Sequence, residues 1–167
     1  FLVHCWRGGM RSGSMAWLFE TAGLKVKILV GGYKAYRNYV LSEFERKIPF
    51  VVLGGKTGSG KTDILLEMQK RGAQVIDLEG IAHHRGSVFG HLGLAPQPTS
   101  EHFENEVVAQ LRQMDYSKPI WIEDESRHIG QVFMPLGLYT QLRAAPVLFL
   151  DIAAEYRLPH LVEVYAH

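Results

Sequence analysis

Residues 49–62 read PFVVLGGKTGSGKT, an apolar run that gives way to glycines and ends in Lys-Thr. The stretch fits the pattern G-x-x-x-x-G-K-[ST], in which glycines let the backbone N–H groups of a loop point at phosphate oxygens. In that pattern Lys61 neutralises phosphate charge and Thr62 can bind Mg²⁺. The predicted phosphate-binding residues of this loop are Gly55, Thr57, Gly58, Ser59, Gly60, Lys61 and Thr62.

The neighbours of this loop have the form that a phosphate-binding loop requires. Residues 50–53 are a short apolar run typical of a buried strand, and residues 63–71 have helical periodicity that ends at Gly72. A strand, a glycine loop and a helix in that order favour an α/β fold with a mostly parallel sheet and crossover helices. The free N–H groups of the helix start would favour a di- or triphosphate.

Composition and charge limit the remaining possibilities. The 167 residues carry a net charge of +1, too small to indicate a nucleic-acid partner by itself. Residues 1–50 nevertheless have a net charge of +5, and residues 51–167 have −4. Cys5 is the one cysteine, which excludes an internal disulfide and favours a reducing, cytoplasmic compartment. No stretch approaches the roughly 18 apolar residues of a membrane span, and because the chain opens inside a strand-like run we expect a fragment of a longer protein.

A second motif, HCWRGGMRS, occupies residues 4–12. A strand that runs into a cysteine and then a glycine loop can surround an anion with backbone N–H groups, and Arg11 can close that ring. The same groups would stabilise a thiolate, so we predict that Cys5 is a nucleophile. Both Cys-dependent phosphatases and rhodanese-like sulfurtransferases use this spacing. A phosphatase also needs a general acid, usually Asp, and residues 1–50 contain none.

The pattern around the cysteine loop predicts part of a separate domain. Residues 12–22 are expected to form a helix with Met15, Leu18 and Phe19 on its apolar side, residues 25–30 a strand, and residues 36–46 a second helix. This order matches the last third of a rhodanese-like domain. We therefore predict a truncated rhodanese-like domain over residues 1–46 and a P-loop domain, truncated at its C-terminus, over residues 47–167.

Acidic side chains follow two later strands of the predicted P-loop sheet. Residues 74–78 are expected to be a strand bearing Asp77, and residues 120–122 a strand that leads into Glu123 and Asp124. Carboxylates at this edge can hold Mg²⁺ through water, and Asp124 is the preferred candidate. The alternative role of Asp77 is to cap the next turn without binding a cation.

Two basic segments are further candidates for ligand contact. Arg127 follows the second acidic strand and could bind a diphosphate through two parallel hydrogen bonds; its alternative role is a surface pair with Glu125. His84, Arg85 and Ser87 belong to a glycine-containing loop predicted to contact phosphate or RNA. No Cys or His has the spacing of zinc ligands relative to the adjacent His83 and His84, so no structural metal is predicted.

Together these motifs resemble the tRNA 2-selenouridine synthases, in which a rhodanese domain is fused to a P-loop domain. The resemblance is carried by CWRGGMRS (5–12), LVGGYKAYR (29–37), GGKTGSGKT (54–62), DLE (77–79), HRGS (84–87) and IEDESR (122–127). It extends over nearly the whole chain, and the order of the motifs is more specific than any one of them.

The resemblance implies a transferase that modifies the wobble uridine of tRNA in two steps. A 2-thiouridine is S-geranylated from geranyl diphosphate, and selenophosphate then supplies selenium to give 2-selenouridine, with Cys5 required in the selenium step. Mg²⁺ is a further candidate ligand, and ATP and a prenyl diphosphate both stay open as the ligand of the P-loop. The alternatives are a P-loop kinase or NTPase with an inert cysteine loop, a Cys-dependent phosphatase or sulfurtransferase, and a binding module without catalysis.

Overall fold

A computed structural model of the chain describes residues 1–87 and 89–165, with side chains up to residue 162. The described part forms two compact units, Phe1–Glu43 and Phe44–His167. Its strands are β1 (Leu2–Val3), β2 (Lys27–Ile28), β3 (Phe50–Gly55), β4 (Gln74–Ile76), β5 (Ile120–Glu123), β6 (His128–Ile129), β7 (Val132–Phe133) and β8 (Val147–Leu150). Its helices are α1 (Met10–Thr21), α2 (Gly32–Glu43), α3 (Lys61–Lys70), α4 (Leu78–Ala82), α5 (Ser100–Leu111), α6 (Leu136–Ala144) and α7 (Ala154–Tyr165).

The second unit is built on a four-stranded parallel sheet in the order β4-β5-β3-β8. This confirms the predicted α/β fold with crossover helices. The central strands β3 and β5 pair from Phe50 opposite Ile120 to Leu53 opposite Glu123. They are apolar because helices cover them on both faces, and Val52, Ile120 and Ile122 are completely buried.

Parallel pairing brings the carboxyl ends of β3, β4 and β5 to one edge of the sheet. The glycine loop follows β3, Asp77 follows β4 and Asp124 follows β5. Ligands of open α/β sheets bind at this edge, because the loops there leave the strands in different directions and open a crevice. The fold therefore brings the glycine loop, Asp77 and Asp124 to one edge of the sheet.

The first unit contains β1 and β2, paired in parallel over two residues each, together with α1 and α2. The predicted strand over residues 25–30 is thus shorter than expected. The expected apolar side of α1 is wrong: Ser12 and Ala16 are its buried residues, and Met15 and Leu18 are exposed. Small residues let α1 lie close to its neighbours, which the periodicity of large apolar side chains does not register.

Three further boundaries differ from expectation. The strand predicted over residues 74–78 ends at Ile76 because the Asp77 side chain accepts a hydrogen bond from the Gly80 N–H at 2.7 Å and begins α4. Helix α3 begins two residues before the predicted start, and α2 ends at Glu43 instead of continuing toward Arg46. Among the described residues, no helix combines the length and apolar character needed to cross a membrane.

Candidate functional site

A cleft of about 410 Å³ opens at the carboxyl edge of the parallel sheet, directly over the glycine loop. The P-loop supplies its floor, and segments after β4 and β5 together with α7 supply its walls. The side chains and backbone that line it belong to Gly55, Thr57–Asp63, Glu79, Arg85, Gly86, Asp124–Ser126, His160 and Leu161. All seven predicted phosphate-binding residues of the glycine loop are therefore in its lining.

The glycine loop takes the backbone conformation that its sequence requires. Gly58 and Gly60 have φ values of +79° and +75°, which other residues adopt only with strain. Lys61 bends back to donate to the Gly55 carbonyl at 3.3 Å. The Ser59 hydroxyl is buried without a hydrogen-bond partner in the described structure, so a ligand oxygen at the loop would satisfy it.

Thr62 connects the loop to two carboxyl groups. Its hydroxyl lies 3.1 Å from Glu79 Oε2 and 3.1 Å from Glu123 Oε1, and the Glu79 N–H donates to the other Glu123 oxygen at 3.2 Å. Burial first, and then the charges of Asp77 and Glu79, raise the pKa of Glu123 to about 8. A cation beside Thr62 would relieve this cost, which fits a site for Mg²⁺ held by the threonine hydroxyl and a nearby acid.

A second buried acid, Glu125, lies on the other side of Glu79. Burial, the charge of Glu79 and a hydrogen bond between the two carboxyl groups raise the pKa of Glu125 to about 8. Burial also raises the pKa of Glu79. Gly86 covers the pair so closely that a Cβ atom there would lie 2.7 Å from an oxygen of each. In the described ranges, however, no group of three His, Cys, Asp or Glu residues is arranged to hold a metal ion alone.

Two of the three acids named from sequence have other contacts. Asp124 lines the cleft but its carboxylate pairs with Arg143, and Asp77 caps α4 as one of the two sequence interpretations anticipated. Glu123, the third acid named from sequence, is the one that contacts Thr62. Side chains alternate along an extended backbone, so Glu123 and Glu125 share one face and Asp124 has the other.

The loop after α4 reaches the cleft through Arg85 and Gly86. The Arg85 Nη1 donates to the Leu92 carbonyl at 2.9 Å, which holds its guanidinium within the same loop. His84 is buried, and its ring stacks on His91 with centroids 6.4 Å apart. Its Nδ1 has no hydrogen-bond partner among the residues that the structure describes. Ser87 does not line the cleft, so of these three predicted contact residues only Arg85 does.

Arg127 is not among the side chains that line the cleft. It is exposed, and its carbonyl accepts a hydrogen bond from the Met134 N–H at 2.9 Å, at the base of the β6–β7 hairpin. Its alternative partner, Glu125, contacts Glu79 instead. Binding of a diphosphate by Arg127 thus stays a prediction that this geometry does not favour.

Helix α7 closes the side of the glycine loop, a role that the sequence did not indicate. Arg157 donates from Nη1 to the Thr57 carbonyl at 2.9 Å and from Nε to the Ile152 carbonyl at 3.0 Å. A Cβ atom on Gly58 would lie 2.7 Å from Leu161 Cγ, and His160 lies 3.5 Å from Asp63. The P-loop thus contacts a helix that lies about a hundred residues later in the chain. No local motif marks such a contact.

The cysteine loop of the first unit makes a second candidate site. The Gly9 N–H donates to Cys5 Sγ at 3.3 Å, and Ser12 Oγ lies 3.4 Å from the sulfur. The Ser12 hydroxyl and then the Gly9 N–H lower the pKa of Cys5 from 9.0 to about 6. Arg11 is exposed and is not among the groups that lower this pKa, so the loop itself favours the thiolate.

The Ser12 hydroxyl has one proton and two acceptors within reach. It lies 2.9 Å from the Gly9 carbonyl, to which it donates when Cys5 is a thiol. When Cys5 loses its proton, rotation of the hydroxyl toward sulfur gives the charged atom a second donor. The site can therefore support a thiolate nucleophile near neutral pH.

The chain is similar to known proteins over both units. Residues 48–167 match the family model described as the tRNA 2-selenouridine synthase AAA domain. Proteins named tRNA 2-selenouridine synthase are 42% identical in Shewanella halifaxensis, 43% in Shewanella loihica and 40% in Bdellovibrio bacteriovorus. The alignments cover 98–99% of this chain and 44–45% of those relatives, so the chain spans less than half of their length.

Proposed function

The chain belongs to the tRNA 2-selenouridine synthase family, and we propose that it is part of a transferase that converts a 2-thiouridine of tRNA into 2-selenouridine. The observation that carries the proposal is the presence of a thiolate-stabilising cysteine loop and a phosphate cleft in one chain that relatives of that name match almost throughout. We interpret residues 1–46 as part of a rhodanese-like domain and residues 47–167 as the P-loop domain.

In this proposal the cleft binds the diphosphate of geranyl diphosphate. Loop N–H groups and Lys61 would neutralise the charge that develops on the leaving diphosphate as the bond from carbon to oxygen breaks, which is the usual electrostatic contribution to such transfers. Thr62, with Glu123 next to it, would hold Mg²⁺. Mg²⁺ there would add positive charge beside the phosphates.

Cys5 serves the selenium step. Its pKa of about 6 leaves most of the side chain as thiolate at neutral pH, and the Gly9 N–H orients the sulfur. Selenophosphate is the proposed selenium donor. Because the two sites have different chemistry, inactivating each should stop a different step.

Nucleoside analysis of tRNA tests the proposal. In cells that lack the gene for the protein containing this chain, we expect both 2-selenouridine and geranylated thiouridine to disappear. Expression of the Cys5→Ser variant should restore the geranylated nucleoside alone, and Lys61→Ala should restore neither. Lys56→Ala, at an exposed lysine of the same loop, is the matched control and should restore both.

Three results would overturn the proposal. Unchanged nucleosides in the deletion strain would exclude the whole assignment. ATP turnover that survives Cys5→Ser, together with geranylation that does not depend on Lys61, would favour the P-loop NTPase instead. Hydrolysis of an aryl phosphate that depends on Cys5 would favour the phosphatase.

A further inference from the structure

The first unit carries a row of aromatic rings that begins at the two neighbours of Cys5. We call the rings of His4, Trp6, Tyr33, Tyr36 and Tyr39 the aromatic ladder. Tyr33 lies at its branch point, with ring centroids 5.9 Å from His4, 5.8 Å from Trp6 and 5.9 Å from Tyr36. Tyr39 continues the row at 6.5 Å from Tyr36.

Backbone hydrogen bonds fix the ladder relative to the cysteine loop. The N–H groups of Tyr33 and Lys34 donate to the carbonyls of Cys5 and Trp6, each at 2.9 Å. Gly32 permits this approach, since a Cβ atom there would lie 2.3 Å from the Cys5 carbonyl oxygen. The start of α2 is therefore joined to the cysteine loop by two backbone hydrogen bonds, which place Tyr33 beside residues 4–6.

The ladder is open to solvent at the end nearest Cys5 and is accompanied by positive charge. Trp6 is 50% exposed, and His4 is exposed as well. Arg7 and Lys34 are exposed basic neighbours. Residues 1–43 hold six Lys or Arg and two Asp or Glu, a net charge of +4, whereas residues 44–167 have −3.

Rings accompanied by cations suit one class of ligand better than others. Unpaired bases stack on aromatic side chains while Lys and Arg bind the phosphates between them. A paired RNA helix offers no free base faces, and an apolar protein surface would leave the cations without partners. We propose that the aromatic ladder is a docking surface for unpaired nucleotides of an RNA loop. The inference rests on the proposed function, which supplies an RNA substrate whose reacting base must be accessible to Cys5.

Binding of fluorescently labelled RNA to the whole chain tests the ladder. The probes are a tRNA anticodon stem-loop and a fully paired duplex with the same number of phosphates. We expect Tyr33→Leu and Trp6→Leu each to weaken stem-loop binding roughly tenfold, the usual effect of removing one stacking ring, with duplex binding unchanged. Tyr33→Phe should keep wild-type affinity, because a ring is all that stacking requires.

Trp17→Leu is the matched control, since Trp17 is 67% exposed on α1 and does not belong to the ladder. It should bind both probes like the wild type. Stem-loop binding should also quench the fluorescence of Trp6, so Trp6→Leu should remove that quench. This second readout still tests the ladder if Tyr33→Leu unfolds the unit. Replacing Lys34 with Gln should reduce the dependence of log affinity on log salt by about 0.7, as for one lost phosphate contact with a single strand.

The inference and the proposed function fail in different ways. Equal stem-loop affinity in the wild type, Tyr33→Leu and Trp6→Leu would overturn the ladder, as would equal losses on stem-loop and duplex or no stem-loop binding by the wild type. A deletion strain with unchanged nucleosides would overturn the function. If the proposed function and the ladder are both correct, Cys5→Ser should abolish selenouridine but bind the stem-loop normally. Tyr33→Leu should still form 2-selenouridine when RNA is in excess.

Discussion

At the scale of single residues, the Ser12 hydroxyl and the Gly9 N–H are the largest causes of the lowered pKa of Cys5. Ser12→Ala removes the larger of these two causes, so the pKa of Cys5 should rise and alkylation by iodoacetamide at pH 6.5 should slow severalfold. The measurement is the alkylation rate against pH, whose midpoint reports the thiol pKa. Ser14→Ala, an exposed position on the same helix, is the control and should leave the midpoint near 6. An unchanged midpoint in Ser12→Ala would mean that Gly9 and the rest of the loop suffice.

A buried acid beside Thr62, Glu123, should make the stability of the second unit depend on pH. The pKa of Glu123 is about 8 when folded, against an ordinary value of 4.5. A raised folded pKa means that the stabilising contribution is complete below pH 4.5 and is lost as pH rises through 8. Glu123→Gln removes the charge, so at pH 8.5 without divalent cations it should be more stable than the wild type by on the order of a few kcal/mol.

Thermal unfolding at pH 5 and pH 8.5 measures this effect. The wild type should lose more stability than Glu123→Gln between the two pH values. Glu67→Gln is the control, because Glu67 is half exposed in a surface pair with Arg71 and should change stability little at either pH. Parallel pH curves for the wild type and Glu123→Gln would contradict a buried, protonated Glu123.

At the scale of elements, the P-loop and α7 should behave as one piece. Gly58→Ala would place a methyl group 2.7 Å from Leu161 Cγ and 3.0 Å from the Arg157 carbonyl, in a residue whose φ of +79° is already unfavourable for alanine. Gly72→Ala is a matched control, since Gly72 has φ +90° with no atom within 4 Å of a new Cβ. Gly72→Ala should cost about 1 kcal/mol from backbone strain alone.

The difference between the two alanine variants isolates the contact with α7. Gly58→Ala should lose more stability than Gly72→Ala in urea unfolding and should also bind inorganic diphosphate more weakly by calorimetry, because the displaced helix opens the loop. Gly72→Ala should bind diphosphate like the wild type. Equal diphosphate affinities in the two variants would show that α7 does not hold the phosphate site.

The elements that the sequence predicted are those set by local chemistry. Strand β3, the glycine loop and the presence of helix α3 follow from an apolar run, left-handed glycines and helical periodicity, all of which act within a few residues. The choice between Glu123 and Asp124 needed the side of β5 that faces Thr62, which depends on the pairing of that strand. The contact between Gly58 and Leu161 joins residues far apart in the chain, and no local pattern carries it. The buried face of α1, formed by Ser12 and Ala16, was missed because small residues carry little periodic signal.

At the scale of the whole molecule, the two units differ in how much apolar surface protects their backbones. The Leu29 N–H donates to the Val3 carbonyl at 3.1 Å, and the Val52 N–H donates to the Pro146 carbonyl at 2.9 Å. The two hydrogen bonds therefore have nearly the same length. The surroundings of the two amides differ: Val52 is completely buried in a central strand, whereas Leu29 follows a two-residue strand with exposed neighbours. Protection from exchange follows the cost of opening rather than the length of a bond.

Native-state hydrogen exchange read by NMR tests this difference. The Val52 amide should exchange only through global unfolding of its unit, with a free energy in the range of roughly 5–15 kcal/mol that is usual for domains. The Leu29 amide should exchange through a local opening of lower free energy that depends little on denaturant, because such an opening exposes little surface. If the two amides shared one exchange free energy and one denaturant slope, the units would unfold together. The cysteine loop would then be as strongly held as the P-loop sheet, and Tyr33→Leu would lower the protection of Val52 as much as that of Leu29.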